Sequence, residues 1–313
     1  MQFEIEYLVL YLLAAIGLYT TVIFSYECGK SPLAILWSVF FPNDEPLNKR
    51  YGPWAVITGS SDGIGKQYAF NLASKGMNVF LISRTESKLQ DIAEQIRSQY
   101  SVKVQWLAID FSQSPKIYET IRKSLTGLEI GILVNNVGVA EENPLAFDEI
   151  SIENVQQSVS INIMAALQMT HMLLPGMKQR RRGLIINMSS SAGNMPMPYH
   201  NLYGASKAYL NSFTLALDQE LRGSGVECQL VNPMFVRTKI NKVIHSDKTW
   251  SVILTDVEKY TEHAVATIGR TNCTTGYWVH GLQTTLCRLL PKSVLVAHWN
   301  YSAKIIRAKL FRN

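Results

Sequence analysis

Tyr203 and Lys207 stand four residues apart in NMSSSAGNMPMPYHNLYGASK, residues 187–207. The stretch reads as the end of a buried strand, a short polar loop and the start of a helix. On a helix, that spacing puts the phenol and the ammonium one turn apart on one face. A phenol, with an ordinary pKa of about 10, is a poor acid or base near neutrality, and a fixed ammonium beside it favours the phenolate and lowers that value. Ser190, at the strand end, can reach across as a second hydrogen-bond donor to a substrate carbonyl. An isolated Tyr and Lys at this spacing are usually a packed ring and a solvated amine, so Tyr203 as acid/base rests on what surrounds it.

Past a polar linker (Asn43 to Gly52), short apolar runs alternate with amphipathic helices. This is the mark of an α/β fold with a doubly wound parallel sheet. Trp54 to Thr58 (WAVIT) is the first strand and runs into TGSSDGIG, followed by a helix from about Ile64 to Ser74. Gly59, Gly63 and Gly65 let the backbone approach a pyrophosphate seated on that helix's N-terminus, with Ser61, Asp62 and Ile64 in the same turn. The second strand, Asn78 to Ser83, ends where an NAD enzyme grips the adenosine ribose with a carboxylate. Ser83 and Arg84 stand there instead, and a guanidinium pairs with the 2'-phosphate that an acid would repel, so NADP(H) is expected. Lys88 is a candidate helper, Asp62 argues the other way, and Arg84 as a plain surface charge is the alternative. A third strand, Lys103 to Ile109, ends at Asp110, placed to receive an adenine amino group. A fourth, Gly131 to Val134, leads into NNVG, where Asn136 and Gly138 line the cofactor edge. Asn136 could equally cap a strand.

Ser151 to Pro175 has a long helical pattern with Asn162 inside it. Its amide competes for backbone bonds there, which suggests a local job such as holding a water on the way to Lys207. Leu184 to Ser189 is the fifth strand. The run KQRRR before it, Lys178 to Arg182, reads as a solvated helix-end loop and not as a nucleic-acid site. A sixth strand, Glu227 to Val231, leads into NPMFVRT, where Pro233 ends the strand and a turn sets Val236 and Thr238 beside the nicotinamide. From Lys239 to about Asp256 the irregular pattern suits a lid over a lipophilic substrate.

The termini add membrane features. Tyr7 to Tyr26 is a run of twenty residues without a charge, long enough to cross a hydrocarbon core. No basic stretch precedes it, which favours a retained anchor over a cleaved signal peptide. Lys30, Lys49 and Arg50 follow it, so the positive-inside rule puts the rest of the chain in the cytosol. A second apolar run, Pro32 to Pro42, is too short to span and lies at the interface or packs on the globular domain. The tail from Leu282 is basic and amphipathic, fit for an anionic leaflet or a subunit contact. The division expected is residues 1–50 anchor and linker, 51–281 catalytic domain, 282–313 tail. At 313 residues with 47% apolar content, the chain can bury one large core. Its net charge of +6 allows an anionic membrane or a phosphorylated cofactor as partner, and no nucleic-acid module is present. The four cysteines have no metal-ligand or redox spacing and read as ordinary thiols in a reducing compartment; no metal is expected.

Together, TGSSDGIG, NNVG, Asn162, Ser190, YGASK and the Pro233 to Thr238 turn resemble the short-chain dehydrogenase/reductase superfamily over roughly residues 50 to 280. The resemblance implies a Rossmann-like sheet and a catalytic tetrad of Asn162, Ser190, Tyr203 and Lys207. In it Lys207 also binds the nicotinamide ribose, and hydride passes between the nicotinamide and a carbonyl or carbinol carbon. RYGPWAVITGSSDGIG, LISRTESKL, ILVNNVG and NPMFVRTK make the chain similar to the membrane-bound 17-beta-hydroxysteroid dehydrogenase and very-long-chain 3-oxoacyl-CoA reductase branch. EHAVATIG and TTGYWVHG are also similar to hydroxysteroid dehydrogenase-like protein 1, regarded as inactive because its tyrosine position is substituted. Tyr203 is intact here. The implied function is an NADP(H)-dependent ketone/secondary-alcohol oxidoreductase acting on a steroid or a long 3-oxoacyl-CoA, with an inactive membrane-tethered scaffold as the alternative. The site implied is the endoplasmic reticulum membrane, or else the mitochondrion, and family habit suggests a homodimer.

Overall fold

A computed structural model describes residues 2–41, 45–113, 115–239 and 254–310 of the chain. Seven parallel strands form one sheet in the order β3-β2-β1-β4-β5-β6-β7. They are β1 Trp54–Thr58, β2 Asn78–Ser83, β3 Val104–Ala108, β4 Ile130–Asn135, β5 Gly183–Met188, β6 Val226–Val231 and β7 Cys273–Thr274. The first six lie within one residue of the expected bounds. Strand order reverses between β1 and β4, and at such a switch point the crevice beyond the strand ends receives ligands.

Alternation along each strand divides the core in two. Ala55, Ile57, Val79 and Leu81 face α3 (Gly63–Ser74), α4 (Glu86–Gln99) and α9 (Val257–Ala266) through Leu72, Leu89 and Tyr260. Val56, Phe80, Ile82 and Leu133 face α5 (Ile117–Leu125), α7 (Ala165–Arg180) and α8 (Asn201–Glu220) through Ile121, Met169 and Leu217. Each such fully buried aliphatic side chain contributes roughly 1.5–3 kcal/mol, which fixes the strand ends firmly enough to hold a site.

The helix α1 (Gln2–Phe40) is longer than the apolar run that announced it. Among the described residues it is the one helix long and apolar enough to cross a membrane. Its exposed part, residues 4–26, spans about 34 Å at helical rise, close to a hydrocarbon thickness of about 30 Å. The second apolar run continues the same helix through Pro32 and packs on the globular domain. Ile35 and Ser38 are fully buried, and Gly281 of α10 (Trp278–Leu289) lets Pro32 come close. The linker is also more ordered than its polarity suggested. It carries a short helix, α2 (Leu47–Tyr51), whose Tyr51 hydroxyl and Arg50 guanidinium both bind Glu227 at 2.9 and 2.6 Å.

The long helical pattern around Asn162 is three pieces: α6 (Ile152–Val159), a π-turn over Ser160–Met164, and α7, which passes Pro175 without stopping. The KQRRR run lies at the end of α7 as expected, but its arginines are not merely solvated. Arg180 donates to the Ile130 carbonyl, Arg181 to that of Gly223, and Arg182 pairs with Glu129 at 2.6 Å. The C-terminal tail folds into α10 and α11 (Lys292–Leu310), and α11 lies back across the globular domain.

Candidate active site

A cleft of about 1500 Å³ opens at the switch point. Its cofactor side is built from the β1–α3 turn. Gly59 and Gly63 take positive φ of 67° and 54°, which the turn requires. A Cβ at Gly65 would run into the Asn136 amide and the Gly59 carbonyl, so this glycine serves helix-to-turn packing and does not itself line the cleft. Asp62 caps α3 by accepting from Gly63 N at 2.8 Å. The first-turn N–H groups of α3 have no intrahelical acceptor, which is what a diphosphate needs. Gly59, Ser61, Asp62, Gly63 and Ile64 all line the cleft, and Ser61 Oγ lies 2.7 Å from Ser83 Oγ.

Arg84 and Lys88 line the cleft just beyond the end of β2. Asp110 lies there too, but it caps its own turn: Oδ1 accepts from Ser112 N at 2.9 Å and Ser112 Oγ at 2.7 Å. Burial alone would raise its pKa, yet those two bonds and the Arg84 charge leave it lowered. Asn136 and Gly138 line the cleft, and Asn136 is also a strap, with Nδ2 donating to the carbonyls of Thr58 (3.0 Å) and Gly59 (3.2 Å). This is the strand-capping alternative. On the facing wall Pro233, Val236 and Thr238 line the cleft, Val236 is buried and bridges to Thr255, and Thr238 lies against Gly63. Within the expected lid, residues 240–253 lie outside the described residues.

Ser190, Tyr203 and Lys207 converge on the cleft floor, at the ends of β5 and the start of α8. Lys207 Nζ lies 5.6 Å from the centre of the Tyr203 ring, the one-turn relation expected from the spacing. Its hydrogen bond goes elsewhere, to the Met188 carbonyl at 2.8 Å. Lys207 is buried, and burial pushes its pKa down to about 8. The expectation of a lowered phenol pKa is not met. Burial raises Tyr203, a hydrogen bond with Ser190 works against this, and the Glu141 charge adds to it, leaving the net direction upward. The physical reason is that desolvating the phenolate outweighs an ammonium which is itself buried and turned toward a carbonyl.

Asn162 sits in the π-turn and does not line the cleft. Its Oδ1 accepts from Val139 N at 2.8 Å while Nδ2 donates to Val139 O, Ser158 Oγ and Ser206 Oγ. The local job is thus to clamp the loop after Gly138, where an added Cβ would come against both Asn162 and Lys207. Such π-turns are frequent at functional sites.

Several groups in or behind the cleft walls had no sequence signal. Glu141 accepts from Leu202 N and Tyr203 N at 3.1 and 3.4 Å, so a loop carboxylate caps the helix that carries Tyr203. His280 is fully buried behind the NPMFVRT turn, where Nδ1 accepts from Met234 N at 3.4 Å, and burial pushes its pKa down to about 4. The helix α11 forms the outer wall. Trp299 donates to the Pro198 carbonyl at 3.1 Å, and Arg307 grips Glu149 through both nitrogens at 2.5 and 2.8 Å. Leu295, Trp299, Ala303 and Ile306 give that wall an apolar lining. Among the described residues no group of His, Cys, Asp or Glu is set to hold a metal.

A parallel sheet of this order, a glycine turn at its switch point and a Tyr–Lys pair across the cleft define a dinucleotide-dependent oxidoreductase class. The short chain dehydrogenase family model matches residues 53–249, and the chain belongs to that family. The chain is 39% identical over 264 residues to inactive hydroxysteroid dehydrogenase-like protein 1 of Homo sapiens, covering 84% of this chain and 79% of that one. It is 38% identical over 274 residues to the very-long-chain 3-oxoacyl-CoA reductase of Homo sapiens, covering 86% of each. Among solved structures, a short-chain dehydrogenase from Sphingobium yanoikuyae in complex with NADPH superposes with a TM-score of 0.66 at 27% identity, over 76% of this chain and 96% of that one.

Proposed function

We propose that the protein is an NADP(H)-dependent reductase or dehydrogenase that interconverts a ketone and a secondary alcohol on a lipophilic substrate, a steroid or a long 3-oxoacyl-CoA. The observation that carries this reading is that Ser190, Tyr203 and Lys207 meet on the floor of a cleft whose opposite side is the glycine turn and whose outer wall is apolar. The nicotinamide, when bound, supplies or accepts the hydride. Ser190 Oγ orients the substrate oxygen and Tyr203 Oη gives or takes its proton. Lys207 holds the floor through Met188 and supplies the positive charge that makes phenolate accessible once a ligand excludes water. Arg84 and Lys88 favour a cofactor with a 2'-phosphate. The helix α1 anchors the domain on the cytosolic side of the endoplasmic reticulum membrane, the organelle being the finer part of the proposal. The division into anchor, catalytic domain and tail belongs to this reading, with the amendment that α11 works as part of the catalytic domain. A homodimer through α6 and α8 is consistent with exposed Ile152, Val159, Tyr209 and Leu215.

A second reading, a membrane-tethered NADP(H)-binding scaffold, is favoured by the upward shift of Tyr203 and by the similarity to a relative named inactive. One experiment separates them. Full-length protein in detergent, given NADPH with a panel of ketosteroids and 3-oxoacyl-CoA thioesters, should oxidise the cofactor, and Tyr203→Phe should abolish that rate. Cofactor binding without turnover of any panel member would replace the first reading by the second.

A further inference from the structure

The glycine turn holds an anion where a phosphorylated cofactor would not want one, and the fold answers with a cation from far along the chain. Asp62, at the N-terminus of α3, forms an ion pair with Lys239, which follows the turn after β6. Lys239 and Lys88 are close neighbours, so two ammonium groups crowd one carboxylate. Arg84 lines the same end of the cleft. The other carboxylate here, Asp110, is bonded by Ser112 and already balances part of the Arg84 charge. Among the described residues, three cations therefore face two carboxylates at this end, and Ser61 and Ser83, whose hydroxyls are 2.7 Å apart, line the same cleft. Like charges held this close repel unless a further anion joins them.

Resting on the proposed NADP(H) chemistry, we infer that Lys239 is a cofactor-selecting residue. It completes, with Arg84 and Lys88, a site for a phosphate dianion on the adenosine ribose, and Asp62 is the internal counter-ion that holds Lys239 in place until that phosphate arrives. A phosphate draws Lys239 off Asp62. An unphosphorylated ribose leaves the ion pair closed. The residue at the turn that looks unfavourable to NADP(H) thereby becomes part of how NADP(H) is chosen.

The test is equilibrium binding to the full chain in detergent, with 2'-AMP, 5'-AMP, NADPH and NADH as probes at low and high salt. The wild type should bind 2'-AMP more tightly than 5'-AMP. Lys239→Ala should weaken 2'-AMP and NADPH on the order of tenfold while changing NADH less than about twofold, and should flatten the salt dependence for NADPH. Asp62→Asn keeps a side-chain cap for α3 but removes the charge, and should tighten 2'-AMP by about threefold or more. Equal losses for NADPH and NADH in Lys239→Ala, weaker 2'-AMP binding in Asp62→Asn, or a wild type indifferent between 2'-AMP and 5'-AMP would each overturn the inference. All of these are read without turnover, so a protein that binds as described yet reduces nothing would lose the reductase reading and keep this one.

Discussion

Replacing Lys207 by methionine separates what the lysine does in the cleft from what it costs the fold. Burial takes its pKa from 10.5 to about 8, and at about 1.4 kcal/mol per tenfold this amounts to roughly 3 kcal/mol held against the folded state when the amine is charged. The sign follows from proton counting. Between about 8 and 10.5 the unfolded chain carries a proton that the folded chain has shed, so wild-type stability rises with pH across that window and is lowest below it. Methionine fills the same space without charge but leaves the Met188 carbonyl without its donor, a loss of about 1–3 kcal/mol. Near pH 7 the variant should therefore be as stable as the wild type or more stable by up to about 2 kcal/mol. That advantage should fall by about 3 kcal/mol by pH 10.5, turning into a deficit. Denaturant unfolding in detergent, followed by tryptophan fluorescence at several pH values, measures the difference, and turnover should drop by at least about 100-fold at every pH. A stability difference that stays flat from pH 7 to 10.5 would refute the reasoning, because it would mean that Lys207 titrates as a solvated amine.

Arg84→Ala should raise KM for NADPH by about tenfold or more and leave NADH nearly unchanged, as read from initial rates with each cofactor. Gly65→Ala forces a methyl group against the Asn136 amide and the Gly59 carbonyl, and should cost about 1–3 kcal/mol in unfolding experiments together with a loss of NADPH binding. Arg307→Ala releases α11 from Glu149 and the Pro144 carbonyl, so limited proteolysis should cut the C-terminal helix sooner and KM for lipophilic substrates should rise by up to about fivefold. Arg307 and the Ala146 amide hold the Glu149 carboxyl down at about 2, below its ordinary value. The clamp is thus fully present above the ordinary carboxylate range and is lost only as pH falls through about 2, so the wild-type proteolysis pattern should be the same at pH 5 as at pH 8.

How much of this was legible in the sequence depended on whether a residue's partner was near it in the chain. The strands announced themselves through continuous apolar runs, and Tyr203 and Lys207 through helical spacing, because both signals are local. Asn162 looked out of place in a helix for a sound reason, since its amide leaves the helix ladder to grip Val139, 23 residues away. Where it points could not be read from its own neighbours. Glu141, His280 and Lys239 carry no local signature at all: each matters through a partner 25 to 177 residues distant or through a turn it braces. The tail shows the same dependence on distant partners. Its basic, amphipathic pattern fits a membrane surface, and in the fold Trp299 and Arg307 also find carbonyls and a carboxylate on the loops beside α8, so that one apolar face of α11 lines the cleft while Val294 and Tyr301 stay exposed. An amphipathic helix declares that one face will be covered, and only the contacts say by what.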